Sequence, residues 1–157
     1  MGILINPKKT LIELPSDKIT LTSVVIVLLA IASNILQELQ LINQYKFNWS
    51  IFFSTVFEVF LYFIAATSIL FTLLLIIRKN LCFVKIFNIL AVSQTPRLLF
   101  SVPVIFLYLQ LPELKEYAKF NQILNLIMLL IYLYSFCLLI VGLVLNIKMK
   151  NITSGST

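Results

Sequence analysis

Four apolar stretches, each long enough to cross a lipid bilayer, leave this chain almost no room for a soluble fold. They cover residues 19–41, 49–77, 83–110 and 123–147, and short polar segments separate them. About 20 residues of helix span a ~30 Å hydrocarbon core at ~1.5 Å per residue. These stretches raise the apolar share to 61% and hold charged residues to 11%, at a mean hydropathy of +1.04. A soluble domain carries roughly 45–50% apolar and about 25% charged residues. The expected fold class is therefore all-α: a polytopic transmembrane helical bundle of 4–5 membrane segments, one of them broken at Pro96.

The break is the least ordinary feature. Ser93, Gln94, Thr95, Pro96 and Arg97 put three hydrogen-bonding side chains, a helix breaker and a fixed cation in a row inside an apolar run. Pro96 lacks an N–H and crowds the preceding turn, so the helix kinks or stops near Gln94 and Thr95. Ser93 and Thr95 are placed to satisfy backbone groups that the break frees. Two shapes fit: a single kinked span, or two short helices in a hairpin that does not cross fully. Pro103 is a candidate second bend.

Three divisions are expected: an interfacial segment over 1–19, one helical membrane domain over 20–150, and a disordered tail over 151–157. Asn6 is a good N-cap and Pro7 a good first helical residue. They open a short amphipathic helix whose Leu11, Ile12 and Leu14 touch lipid while Lys8 and Lys9 face headgroups; an unstructured tail is the alternative. Trp49, Arg78 and Lys79 are further interface anchors. The first 20 residues have no long apolar core, so no cleavable signal peptide is expected. Counting Lys and Arg beside each apolar run favours four crossings with both ends cytoplasmic, because heavier and lighter counts then alternate. Five crossings would place the C-terminal lysines outside.

Several chemistries lack their residues. There is no His, and no GxGxxG, P-loop or CxxC pattern. No metal site, cofactor or enzymatic activity is expected. Cys82 and Cys137 read as two buried thiols acting as small hydrophobes. The net charge of +6 comes from cations lying between apolar runs, which points to membrane orientation and away from nucleic acid. Expected partners are the lipid bilayer and other membrane proteins, or further copies of the chain. Phe52, Phe53, Phe57 and Phe60 form a stripe at helical spacing, read as packing or lipid contact. Glycine is scarce, so close Gly-mediated packing is not expected to dominate.

Glu58 and Arg97 are the clear ionisable residues well inside apolar runs. Each costs roughly 2.5–3.5 kcal/mol at mid-bilayer, so each should face protein or water. The expectation is an intramembrane Glu58–Arg97 ion pair or polar site that holds the second and third segments together.

Three features carry a family resemblance. They are Asn6-Pro7-Lys8-Lys9-Thr10 before the first span; the order of a span, a loop, a long second span and a short basic turn; and Ile89-Leu90-Ala91-Val92-Ser93-Gln94-Thr95-Pro96 inside the third. In these the chain resembles a small, bacterial-like member of the Yip family, multi-span proteins named for interaction with Ypt/Rab GTPases. The family usually has Tyr and small residues before that proline, where this chain has Val92-Ser93-Gln94-Thr95. Its usual five spans also put the C-terminus outside. The resemblance implies an α-helical, non-catalytic component of membrane organisation or traffic, or an accessory subunit, and transfers no catalytic residue. The alternative is a small oligomeric transporter or channel-like permease using Glu58, Arg97 and the broken helix.

Overall fold

The computed structural model describes residues 6–41, 49–77, 79, 81–111 and 117–154. Among these, every regular element is a helix: α1 (Pro7–Ile12), α2 (Leu21–Leu41), α3 (Trp49–Ile76), α4 (Phe83–Ser93), α5 (Thr95–Gln110) and α6 (Ala118–Ser154). Three stretches are long and apolar enough to cross a membrane: Trp49–Ile76, Phe83–Leu107 and Lys119–Lys148. Helix α2 presents a shorter apolar run, Leu21–Leu36. Arg78 and much of the polar segments between the apolar runs, residues 42–48 and 112–116, lie outside the described residues.

Helix α4 sits at the centre. Lys85, Ile86, Asn88, Ile89, Leu90, Ala91, Val92 and Ser93 are all buried, so it is covered on nearly every side. Helices α2, α3 and α6 pack around it. Helix α3 turns Thr55, Val59, Phe63 and Thr67 inward, a spacing of four residues that keeps them on one face. Phe63 meets Phe87 of α4 with ring centroids 5.9 Å apart. Helix α6 buries Ser135, Leu138, Leu139, Gly142, Leu143 and Asn146, again a single helical stripe.

The outer faces differ sharply from the centre. The apolar window of Phe83–Leu107 is 50% buried, against 22% for Trp49–Ile76 and 17% for Lys119–Lys148. Phe53, Phe57 and Phe60 point outward, as do Leu126, Leu129, Leu130 and Leu133. Soluble monomers rarely expose contiguous apolar patches beyond a few hundred Å², and this surface fits a membrane protein. Three hydroxyls on α3 bond to their own helix: Thr67 Oγ1 donates to Phe63 O at 2.6 Å, Ser68 Oγ to Ile64 O at 2.8 Å, and Thr72 Oγ1 to Ser68 O at 2.9 Å. Such back-bonding pairs these hydroxyls within the helix itself.

At Pro96 the chain bends without doubling back. The break is one residue wide: Gln94 keeps right-handed angles, φ −79° and ψ −7°. Ser93 Oγ donates to Leu90 O and Thr95 Oγ1 to Val92 O, both at 2.7 Å. These bonds satisfy carbonyls that the interrupted ladder releases. Pro96 occupies an early position of α5, where its missing N–H is not required. Of the two shapes, this is the single kinked stretch. Pro103 stays inside continuous helix.

The N-terminal segment departs from its expected place. Asn6 caps α1 as anticipated, its Oδ1 accepting from Lys9 N at 3.1 Å, and Lys8 and Lys9 are exposed. Leu11 and Leu14, however, belong to the core, at 0% and 8% exposure. They do not face lipid, because α1 lies against α6 where Gly142 lets it approach closely. A Cβ built on Gly142 would lie 2.7 Å from Ile89 Cγ2 and 3.3 Å from Leu11 Cδ2. One glycine thus does locally what small-residue repeats do elsewhere. Two further corrections follow from helix geometry. Cys82 and Cys137 are exposed rather than buried; Cys82 lies just before α4, and Cys137 lies off the inward stripe of α6. Helix α6 also continues to Ser154, past the tail boundary at 151.

Candidate functional site

Two groups of polar residues interrupt this apolar bundle. The first is a clasp around α1. As the chain leaves α1, the carbonyls of Leu11, Ile12 and Leu14 have no partner within the segment. Asn146 Nδ2 of α6 donates to Leu11 O at 3.0 Å and to Gly142 O at 2.7 Å. Lys85 Nζ of α4 donates to Ile12 O at 3.0 Å and also to Leu14 O. A cation at a helix C-terminus is favourable as well. Asn88 completes the clasp. Its Oδ1 accepts from Thr20 N at 3.1 Å and Ser23 Oγ at 2.8 Å. Its Nδ2 donates to Pro15 O at 3.2 Å and Lys18 O at 3.0 Å. Both donors and both lone pairs of this amide are therefore used.

The second group lines a cleft of about 430 Å³. Helical spacing assembles it from four helices. Thr55, Glu58, Val59, Tyr62 and Phe63 come from one face of α3. Gln94 at the kink and Arg97, Leu98 and Ser101 of α5 form another. Ala30, Ser33 and Asn34 of α2 and Met128 and Tyr132 of α6 complete the lining. The kink matters here, because it puts Gln94 and the first turn of α5 on the cleft. Glu58, Tyr62 and Tyr132 are exposed, so this is an open cleft rather than a sealed void.

The anticipated pair of charges therefore shares one site. The two are not joined directly: among the described residues the ion pair is Lys9–Glu13, at 3.9 Å. The Arg97 guanidinium lies instead over the Tyr132 ring, 4.7 Å from its centroid, a cation–π contact. Glu58 stands on the α3 wall, nine residues along the helix from Trp49, or ~14 Å at 1.5 Å per residue. Ser33 and Ser101 approach to 3.4 Å between α2 and α5.

The remaining expected residues fall outside both groups or at their edges. Ser93 and Pro96 are buried at the kink, and Thr95 is half-buried. Trp49 is exposed and stacks on Phe53, with centroids 5.9 Å apart. Lys79 is half-buried, and its backbone N–H bonds to Leu74 O at 2.8 Å. Sequence reasoning missed Asn34 and Tyr132 in the cleft and Lys85, Asn88 and Asn146 in the clasp. For Asn34, Lys85, Asn88 and Asn146 the available signal was a strongly polar side chain inside an apolar run, the same kind of anomaly that marked Glu58 and Arg97; Tyr132 gave no such signal.

Fold and cleft together define a helical protein whose long apolar helices fit a membrane and in which Glu58 and Arg97 line one open cavity. No family model, curated protein or solved structure matches the chain.

Proposed function

We propose that this is a non-catalytic, multi-pass membrane protein that acts through protein partners, as a membrane-organising or trafficking-type component or as an accessory subunit. It crosses the bilayer four times, with α2 as the first crossing and both ends cytoplasmic. The observation that supports the reading is the outward apolar surface of α3 and α6, whose central windows are only 22% and 17% buried. A bundle with so little of its outer helices covered has room for partner helices beside lipid. The resemblance to the Yip family supports a non-catalytic role in membrane organisation, while that family's usual five spans differ from the four crossings.

The test is the mass and composition of the particle extracted in mild detergent. A stoichiometric unrelated partner supports the proposal; a monomer without a partner overturns it. For topology, a single cysteine placed after Lys150, with Cys82 and Cys137 replaced by Ser, should resist an impermeant reagent in intact cells. Labelling there would overturn the four-crossing arrangement.

One observation favours a second reading. The charged cleft lies beside a broken helix, an arrangement used by transporters to hold substrates. A pure homo-oligomer in which Glu58→Gln changes ion or proton flux in liposomes would establish a small permease instead.

A further inference from the structure

We propose that the cleft binds a zwitterion bearing an ammonium and a phosphate, the chemistry of a phosphoethanolamine headgroup. The inference deepens the proposed function and rests on its membrane placement.

The two fixed charges of the cleft have opposite sign, sit on different helices and do not pair with each other. Arg97 lies over Tyr132, and among the described residues no carboxylate stands within ion-pair distance of its guanidinium. A lone anion in the cleft would leave Glu58 without a counter-charge, and a lone cation would leave Arg97 so. In an apolar medium each uncompensated charge is costly. A molecule carrying both signs compensates the two together. The guanidinium suits phosphate because its planar fork donates two parallel hydrogen bonds. Glu58 accepts from an ammonium. The amides of Asn34 and Gln94 supply further donors and acceptors on the same cavity.

Size and surroundings agree. A volume of about 430 Å³ falls within the roughly 300–1,000 Å³ common for small-molecule sites. The cleft is open at Tyr62 and Tyr132, which adjoin the outward apolar faces of α3 and α6. Acyl chains attached to a headgroup in the cleft would leave along those faces. The same chemistry has two sources, phosphatidylethanolamine in the bilayer and free phosphoethanolamine in water.

The experiment places the whole chain in nanodiscs of equimolar phosphatidylethanolamine and phosphatidylglycerol, then counts retained lipids by native mass spectrometry. The wild type should retain phosphatidylethanolamine preferentially. Glu58→Gln should lower that retention about tenfold, the equivalent of ~1.4 kcal/mol. Ala30→Leu fills the cleft without altering charge and should do the same, so the test survives if Glu58→Gln fails to fold. If lipid retention shows no preference but lipid-stripped protein binds phosphoethanolamine saturably, and both variants lose that binding, the free zwitterion is the ligand. Equal retention by the wild type and both variants, with no phosphoethanolamine binding, overturns the proposal. Failure of the wild type to enter nanodiscs overturns the membrane placement itself, a separable result.

Discussion

The clasp and the cleft are both polar islands in one apolar bundle, yet they are finished differently. In the clasp, Asn88 uses all four of its hydrogen-bonding positions, and Lys85 and Asn146 close over carbonyls of the N-terminal segment. The Asn88 amide has no position left for a ligand. In the cleft, Glu58 and Arg97 carry full charges and remain on an open cavity. Polar groups saturated within the chain hold architecture, whereas charged groups that the chain leaves uncompensated await something else. The comparison separates structural polarity from functional polarity more cleanly than burial does.

The sharpest way to break that comparison is Asn88→Leu. It removes one side chain and leaves Thr20 N and two carbonyls without this partner, while Ser23 Oγ keeps only its bond to Thr20 Oγ1. Each buried polar group left unpaired costs about 1–3 kcal/mol, so the expected loss is about 3 kcal/mol or more. Thermal unfolding in detergent measures it, and proteolysis near Pro15 should rise in parallel. An unchanged melting temperature would mean that the clasp does not hold the N-terminal segment.

Gly142→Ala tests the clasp sterically. The added Cβ meets Ile89 Cγ2 at 2.7 Å, a methyl on a β-branched side chain with few alternative rotamers. Overpacking of this kind costs about 1–3 kcal/mol. Ile89→Ala alone leaves a cavity, but combined with Gly142→Ala it should recover part of the loss. Strict additivity of the two effects would show that the contact is not made.

How much of this was legible beforehand follows from the range of the interactions. The apolar runs, the cap at Asn6 and Pro7, and the kink at Pro96 depend on neighbouring residues, and the structure shows the cap, the kink and three membrane-length runs close to where the sequence placed them, with α2 presenting a shorter apolar run. Glu58 and Arg97 were visible because a charge in an apolar run is anomalous wherever its partner lies. The sequence predicts an ion pair between them; in the structure both line one cleft, and Arg97 lies over Tyr132 instead. The clasp was not legible. Asn146 bonds to a residue 135 positions away, and Asn88 to residues about 70 away. A solitary amide does not reveal which carbonyl it will find. Leu11 and Leu14 show the same limit: an amphipathic turn has the same pattern whether it meets lipid or a notch beside Gly142.

Glu58→Gln sharpens the other side of the comparison. The carboxylate is exposed on the cleft and makes no ion pair among the described residues, so neutralising it breaks no contact and should leave the protein as stable as the wild type or more stable, because an uncompensated charge is costly in an apolar medium. The contrast with Asn88→Leu, read in the same thermal melts, is the point. A loss as large as that of Asn88→Leu would make Glu58 a structural residue and remove the basis for a ligand at the cleft.

Ser135 provides the finest test, because it belongs to neither class. It lies on α6 between Tyr132 of the cleft and the Gly142–Asn146 part of the clasp. It is 2% exposed, and its hydroxyl has no hydrogen-bond partner among the described residues. A buried hydroxyl without a partner carries a desolvation cost and no compensating bond. Ser135→Ala removes that cost and leaves only a small void, so the variant should be as stable as the wild type or more stable by up to about 1 kcal/mol. A clear destabilisation would show that the hydroxyl is bonded in the folded protein, and the clasp would then extend along α6 to within one turn of the cleft. In that case Tyr132, and with it the position of Arg97, would be held by the clasp, and the two islands would be a single connected system.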